Sequence, residues 1–185
     1  QNTYVTRCLQ KTDDIRRLTD RMFEYALVYD ASEPEQIRMI SFSLSRLLEL
    51  FREQMDFLEL AGFHTDISFP DADTSDITTP DALTIQADPE LCKRILNNLF
   101  SNILKYGSKQ ETVTLSMQLP PEINKDAALC LALKNTVKPE HSAVESNRIG
   151  LKSSTRNMER MGGKLVVFQT DTLFEVTLSF PVTAP

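Results

Sequence analysis

From residue 35 onward, the chain alternates between segments with helical periodicity and segments with strand-like alternation of apolar and polar residues. Three stretches have apolar residues at helical spacing, and we predict helices at residues 44–62, 89–107 and 151–161. We predict strands at residues 36–41, 64–69, 82–86, 112–119, 127–134, 164–169 and 173–180. This order of elements predicts an α+β fold, a two-layer sandwich in which three helices cover one face of a mixed sheet.

The first 30 residues follow a different pattern. Residues 4–29 predict one long helix, which has a narrow apolar seam at Cys8, Ile15, Leu18, Met22 and Tyr25. A seam of this kind is typical of a helix in a coiled coil or bundle. Residues 30–34 end in a proline and are interpreted as a linker. We therefore predict a partial bundle helix at residues 1–30 and the sandwich at residues 35–183. The alternative is a helix that lies on its own domain.

Composition limits the partners that this chain can have. It holds 26 acidic and 20 basic residues, a net charge of −6, which argues against nucleic acid or anionic lipid as a partner. The 3 cysteines are far apart and lack zinc-ligand spacing, which favours reduced thiols and a cytoplasmic setting. No apolar run is long enough to cross a membrane, so we expect no membrane contact by this stretch. The sequence begins at Gln1 without a signal peptide, and we interpret it as part of a longer protein.

The predicted helix at residues 89–107 carries polar side chains suited to ligand binding. Asn98 and Asn102 are four positions apart and share one helical face, with Lys105 close to it. Amide oxygens are ligands that Mg²⁺ accepts, and a lysine can meet phosphate oxygens. Two amides that hydrogen-bond neighbouring backbone would show the same spacing, so the spacing alone leaves both interpretations open.

The same stretch resembles the N box of the GHKL ATPase superfamily, which contains sensor histidine kinases, type II topoisomerases and heat-shock chaperone ATPases. The sensor histidine kinase pattern is Asp-Pro followed by Arg-x-Leu-x-Asn-Leu-x-x-Asn-Ala-x-Lys-Tyr. It is matched here by Asp88, Pro89, Arg94, Leu96, Asn98, Leu99, Asn102, Lys105 and Tyr106, with Ile103 at the small residue. The resemblance implies that Asn102, with Asn98 beside it, holds Mg²⁺ on the nucleotide phosphates. It also implies that Lys105 contacts phosphate and that Tyr106 flanks the nucleotide.

A second match surrounds the last predicted helix. Ile149-Gly150-Leu151 before that helix and Gly162-Gly163 after it resemble the G2 box of the same family. A helix N-terminus offers unpaired N–H groups and a positive dipole to phosphate, so Gly150 and Leu151 are expected at the nucleotide. The resemblance covers about residues 35–182 and implies a Bergerat-type sandwich. Residues 4–29 resemble the second helix of the kinase dimerisation and phosphotransfer domain.

The chain departs from the family at the adenine-binding motif, the G1 box. There an Asp-x-Gly follows a strand, and the aspartate reads the adenine amino group. By register, Lys134 takes the place of the aspartate and Thr136 that of the glycine. A lysine cannot accept the amino proton, although Asn135 could partly substitute and is retained as a nucleotide-binding candidate.

The G2 box also departs from the family pattern. Two glycines expected before Gly150 are replaced by Ser146 and Arg148. Arg148 would either block the close approach of the loop to phosphate or form a salt bridge with it. The segment 135–149, where the family has a lid over the nucleotide, is short and has no recognisable F box, so it would enclose a nucleotide poorly.

Neither histidine fits the phospho-acceptor of this family. His64 opens a predicted strand and His141 lies in the lid segment, whereas the family acceptor lies on a bundle helix beside an acidic residue. We expect structural or exposed roles for both. The acceptor histidine is therefore expected outside this sequence.

Three functional hypotheses follow. The first is the catalytic and ATP-binding domain of a two-component sensor histidine kinase, with ATP and Mg²⁺ as cofactors. Its implied partners are a response regulator and a second copy, paired through the N-terminal helix, in the cytoplasmic portion of a membrane-anchored sensor. The alternative is a degenerate, non-catalytic GHKL module that acts as a docking surface for another protein. The third is an anti-sigma-factor-type kinase of the same superfamily. The apolar seam of the helix predicted at residues 4–29 argues against it.

Overall fold

The computed structural model describes residues 11–12, 36–69, 83–120, 127–138 and 149–183. The chain divides into two units, Gln1–Gln36 and Ile37–Pro185. In the first unit Lys11 and Thr12 are helical and exposed, while the rest of the predicted helix and the predicted linker lie outside the described residues. All named elements below belong to the second unit.

The described part of the second unit contains seven strands and three helices. The helices are α1 (Leu44–Leu60), α2 (Pro89–Tyr106) and α3 (Ile149–Arg160). The strands are β1 (Ile40–Ser43), β2 (His64–Ser68), β3 (Thr84–Ala87), β4 (Thr112–Gln118), β5 (Ala128–Thr136), β6 (Lys164–Gln169) and β7 (Leu173–Thr183). The predicted helices and strands are confirmed with shifted ends. The largest shifts are the later start of β1 and the longer C-terminal end of β7.

The strands form one mixed sheet in the order β1-β3-β7-β5-β4-β2, with β6 paired to β7. The pair β2–β4 is parallel and the other pairs are antiparallel. The long strand β7 pairs with β6 through Phe174–Ser179 and then with β3 through its last two residues. This double use of β7 explains why it extends beyond its predicted end.

The core lies between the helices and one face of the sheet. Buried and less buried residues alternate along β4 and β5, as expected for strands with one covered face. The rings of Phe51 on α1 and Phe100 on α2 meet edge to face, with centroids 6.5 Å apart. α2 packs against both α1 and α3, so the central helix carries the candidate site residues between two neighbours. None of the described helices is both long and apolar enough to cross a membrane.

Asp88 fixes the start of α2. Its Oδ1 accepts hydrogen bonds from the backbone N–H groups of Glu90 and Leu91, at 2.9 and 3.3 Å, as an N-cap does. Its Oδ2 accepts from the N–H of Arg38 at 2.8 Å, and its own N–H donates to Met161 Sδ. The Asp-Pro pair thus anchors α2 to the chain before β1 and to the segment after α3.

The Gly-Gly turn after α3 has two separate physical causes. Gly162 has φ of +74°, a conformation that other residues rarely adopt. A Cβ on Gly163 would lie 2.6 Å from the backbone oxygen of Ser179 on β7. The turn therefore needs glycine first for its backbone angle and then for the close approach of β7.

Candidate functional site

Asn98 and Asn102 lie at the margin of the core on α2. Both are half-buried, Lys105 is exposed and Tyr106 is half-buried. The other sides of the helix are taken by buried residues, which are Leu91, Cys92, Ile95, Leu96, Leu99, Phe100 and Ile103. Asn98 and Asn102 therefore border the apolar side of α2.

Asn98 joins the two sequence motifs. Its Nδ2 donates to the backbone oxygen of Gly150 at 3.4 Å and to Ser154 Oγ at 3.2 Å, across 52 and 56 positions of sequence. Ser154 is fully buried. The N-box and G2-box segments thus meet where the first turn of α3 lies against α2. Sequence reasoning missed Ser154, although its spacing of four from Gly150 puts both on one face of α3.

The backbone conformation at position 150 does not require glycine. Its φ is not positive, and a Cβ there would lie 3.7–3.9 Å from the Asn98 side chain, which is ordinary contact. The protein alone would therefore accept a methyl group at this position. Leu151 is half-buried and packs against the core.

Asn135 is the buried polar residue of β5. Its exposed fraction is 3% and its Nδ2 donates to the backbone oxygen of Thr136 at 3.1 Å. Its Oδ1 is the one buried side-chain oxygen or nitrogen without a hydrogen-bond partner in the described part of the chain. Such an atom is costly to bury, and a missing ligand is one explanation for it.

The structure separates Lys134 from Asn135 at the end of the strand that precedes the expected G1 box. β5 continues through Thr136, so side chains still alternate at this point. Leu133 and Asn135 are buried on the covered face, whereas Lys134 is exposed and lies opposite Glu175 of β7. Asn135, and not Lys134, therefore shares the face of the sheet that carries α2 and α3.

Backbone hydrogen bonds tie the end of α2 to the end of β5. The N–H of Lys138 donates to the oxygen of Tyr106 at 2.9 Å, and that of Ser108 to the oxygen of Thr136 at 2.7 Å. Gly107 and Val137 form an isolated antiparallel bridge. Tyr106 and the neighbouring Lys105 are thereby held close in the fold to the Asn135 segment.

Other predicted positions contribute less. Arg148, Ser146 and His141 lie outside the described residues, and His64 is exposed at the start of β2. Within the described ranges no group of three or more His, Cys, Asp or Glu residues could hold a metal ion.

Burial, with a smaller effect of Asp88, raises the pKa of the Cys92 thiol to about 12. Cys92 therefore stays protonated at neutral pH and is not a reactive thiol.

The chain is similar to sensor histidine kinases in sequence and in fold. It is 25% identical over 184 residues to the sensor histidine kinase YrkQ of Bacillus subtilis (strain 168), a match that covers 97% of this chain and 38% of YrkQ. The chain thus spans well under half the length of this curated relative. No family model matches it.

Solved histidine kinases share the fold. The catalytic domain of histidine kinase ThkA superposes with a TM-score of 0.56 at 14% identity, over 80% of this chain and 99% of that domain. Full-length ShkA, solved in complex with AMPPNP, gives 0.60 at 18% identity, over 100% of this chain and 39% of ShkA. The described residues thus have the fold of a histidine kinase catalytic domain, and the resemblance inferred from the N and G2 boxes is confirmed at that level.

Proposed function

We propose that this chain, which folds like histidine kinase catalytic domains, is the catalytic and ATP-binding part of a two-component sensor histidine kinase. It would transfer the γ-phosphoryl group of ATP to a histidine outside this sequence. The observation that carries the proposal is the hydrogen bond from Asn98 to the Gly150 backbone, because it unites the amide strip of α2 with the N-terminus of α3. The similarity to YrkQ supports a kinase-type enzyme.

The phosphate end of the nucleotide would lie between α2 and α3. The half-buried amides of Asn98 and Asn102 offer oxygen ligands that fit Mg²⁺, and the exposed Lys105 offers a cation to phosphate. Bound Mg²⁺ would neutralise charge on the phosphate oxygens. The space at Gly150 supports this assignment, since the protein alone does not require a glycine there. The first-turn N–H groups of α3, including those at Gly150 and Leu151, would face phosphate directly.

The base end would lie at Asn135. Its unpaired, buried Oδ1 is an acceptor that fits an exocyclic amino group such as that of adenine. Tyr106, held close to this segment by the backbone, would flank the nucleotide. Arg148 remains part of the proposal as a phosphate contact.

Catalysis by such a site would consist of positioning and charge neutralisation. Phosphoryl transfer needs little covalent chemistry from the protein, and the acceptor imidazole supplies the nucleophile. We therefore assign no catalytic base. Residues 1–30 would be a dimerisation helix and residues 35–183 the kinase domain, with a response regulator as the downstream partner.

A non-catalytic docking module is the second candidate. If Asn135 takes the place of the family aspartate, Val137 rather than Thr136 takes that of the G1 glycine, and Val137 is buried and bridged to Gly107. A neutral amide at Asn135 in place of a carboxylate favours the same alternative.

Titration of the chain with ATP, with and without Mg²⁺, tests the proposal. We expect saturable binding that Asn102→Ala weakens mainly when Mg²⁺ is present. The matched control is Asn97→Ala, an exposed asparagine on the same helix, which should bind as the unaltered chain does. Absence of binding at millimolar ATP would favour the docking module.

A further inference from the structure

One side-chain amide nitrogen on α2 has two hydrogen-bond acceptors on α3. The amide nitrogen of Asn98 has two N–H groups, and it has two acceptors on α3, the Gly150 backbone oxygen and Ser154 Oγ. The Gly150 oxygen can only accept, so it fixes which way the amide is turned. The nitrogen of Asn98 is therefore occupied by α3, and only Oδ1 remains for a ligand.

Ser154 depends on this contact. It has no exposed surface, and a buried hydroxyl requires a hydrogen-bond partner. Thr155, the next residue, bonds instead within its own helix, from Oγ1 to the backbone oxygen of Leu151 at 2.9 Å. Of these two adjacent hydroxyls, Ser154 is the one that connects α3 to α2.

We propose that Asn98 is a positioning residue that holds α3 against α2, through the Gly150 backbone oxygen in the first turn of α3 and through Ser154 one turn later. The N–H groups at the start of α3 and the Oδ1 of Asn98 then face phosphate from fixed positions. This inference rests on the proposed function, and it adds to Asn98 a role that a metal ligand alone would not have.

Ser154→Ala tests this role, because it removes no atom that we assign to the nucleotide. We expect the affinity of the 185-residue chain for Mg-ATP to fall about three- to tenfold, the effect of one hydrogen bond. Thr155→Val is the matched control, since it also deletes an α3 hydroxyl but leaves the contact with α2. It should bind Mg-ATP within about twofold of the unaltered chain. Isothermal titration calorimetry measures both, after circular dichroism has verified the fold.

Adenosine separates positioning from general loosening of the domain. It lacks phosphate, so Ser154→Ala should leave its affinity unchanged in competition titrations while Mg-ATP binds more weakly. An equal loss for both ligands would overturn the proposal. So would unchanged Mg-ATP binding by Ser154→Ala when Asn98→Ala binds weakly, because Asn98 would then act as a ligand alone.

A double-mutant cycle tests the contact itself without nucleotide. Asn98→Ala and Ser154→Ala should each lower the unfolding midpoint in denaturant, and the double variant should lower it by less than the sum. Strict additivity would overturn the contact. If the unaltered chain binds no nucleotide, the proposed function and this role both fail. If the unaltered chain and Ser154→Ala bind Mg-ATP equally well, only this role fails.

Discussion

The amide of Asn135 determines what the base end of the site can recognise. A carboxylate accepts only, whereas an amide can turn and present either its oxygen or its nitrogen. A hydrogen bond to a neutral acceptor is worth about 0.5–1.5 kcal/mol, against about 1.5–3 kcal/mol for one to a charged group. We therefore expect the unaltered chain to bind ATP and GTP within about tenfold of each other.

Asn135→Asp should increase the preference for ATP over GTP, up to about tenfold, because the carboxylate rejects a carbonyl oxygen. It should also lower the free energy of unfolding, since the position is buried. Competition titrations with the two nucleotides measure the preference. Lys134→Asp is the control on the exposed face of β5 and should change neither affinity. If Lys134→Asp gains the preference instead, the register expected from the sequence was right.

The raised pKa of Cys92 should make the stability of the fold decrease at alkaline pH. Its pKa is about 12 in the folded chain and near 9.0 when unperturbed, so the folded state binds more protons between these values. The Cys92 contribution to stability is then fully present below about pH 9 and is lost as pH rises towards 12. The free energy of unfolding of the unaltered chain, measured in denaturant, should fall by up to about 1.4 kcal/mol per pH unit relative to that of Cys92→Ala. Parallel curves for the two chains would contradict this.

The face on which a residue lies was predictable from sequence within a helix. It was not predictable at the end of a strand. Asn98 and Asn102 fall on one face of α2 because helix geometry fixes their spacing. Which of Lys134 and Asn135 faces the helices could not be predicted, because β5 continues two residues beyond its predicted end and adjacent residues of a strand lie on opposite faces. Ser154 was overlooked because its partner lies 56 positions away, a distance that local spacing does not reveal.

At the level of elements, a substitution in α3 should affect the stability of the fold and the binding of Mg-ATP differently. Gly150 lies in the first turn, where a Cβ meets only ordinary contacts. Gly150→Ala should therefore leave the free energy of unfolding unchanged or raise it by up to about 1 kcal/mol, from helix propensity. The same methyl group should weaken Mg-ATP binding, because it occupies the approach to the phosphate-facing N–H groups. Chemical denaturation and calorimetry on one protein sample measure the two effects.

Gly163→Ala is the contrasting variant for this test. A Cβ at Gly163 would lie 2.6 Å from a backbone oxygen of β7, so the substitution should destabilise the fold. Affinity lost in Gly150→Ala together with stability would show that the glycine at position 150 serves the fold and not the ligand.

Helices were easier to predict than strand ends for a physical reason. α1 and α2 are amphipathic over more than four turns, and α2 has an N-cap and a proline that mark its start. The ends of β7 depend on pairing with β3, which is distant in sequence and leaves no local signal. β1 likewise begins where its antiparallel partner β3 ends, at the pair Ile40 and Ala87, and not where alternation of residues begins.

For the whole molecule, the fold of the described residues brings together candidate segments that are far apart in sequence. Asn98 and Gly150 meet there, and the backbone joins Tyr106 to the Asn135 segment. The sequence separations are large, so only the resemblance to the family motifs indicated that these residues share one site.

The last prediction concerns the helix expected at residues 4–29. An apolar seam without a partner promotes association, and each seam residue contributes about 1.5–3 kcal/mol at best when buried. We expect the 185-residue chain to self-associate weakly and in a concentration-dependent way, because a native bundle would need helices outside this sequence. Sedimentation velocity over a wide concentration range measures this.

Ile15→Lys combined with Met22→Lys should make the chain monomeric, because both substitutions place a charge in the seam. The unfolding transition of the sandwich should stay unchanged, since the chain divides after Gln36. A control with Asp13→Lys and Asp20→Lys adds two lysines to the predicted solvent face and should associate as before. If the seam variant unfolds the whole chain, the helix belongs to the core of the sandwich and the boundary expected at residues 30–34 is wrong.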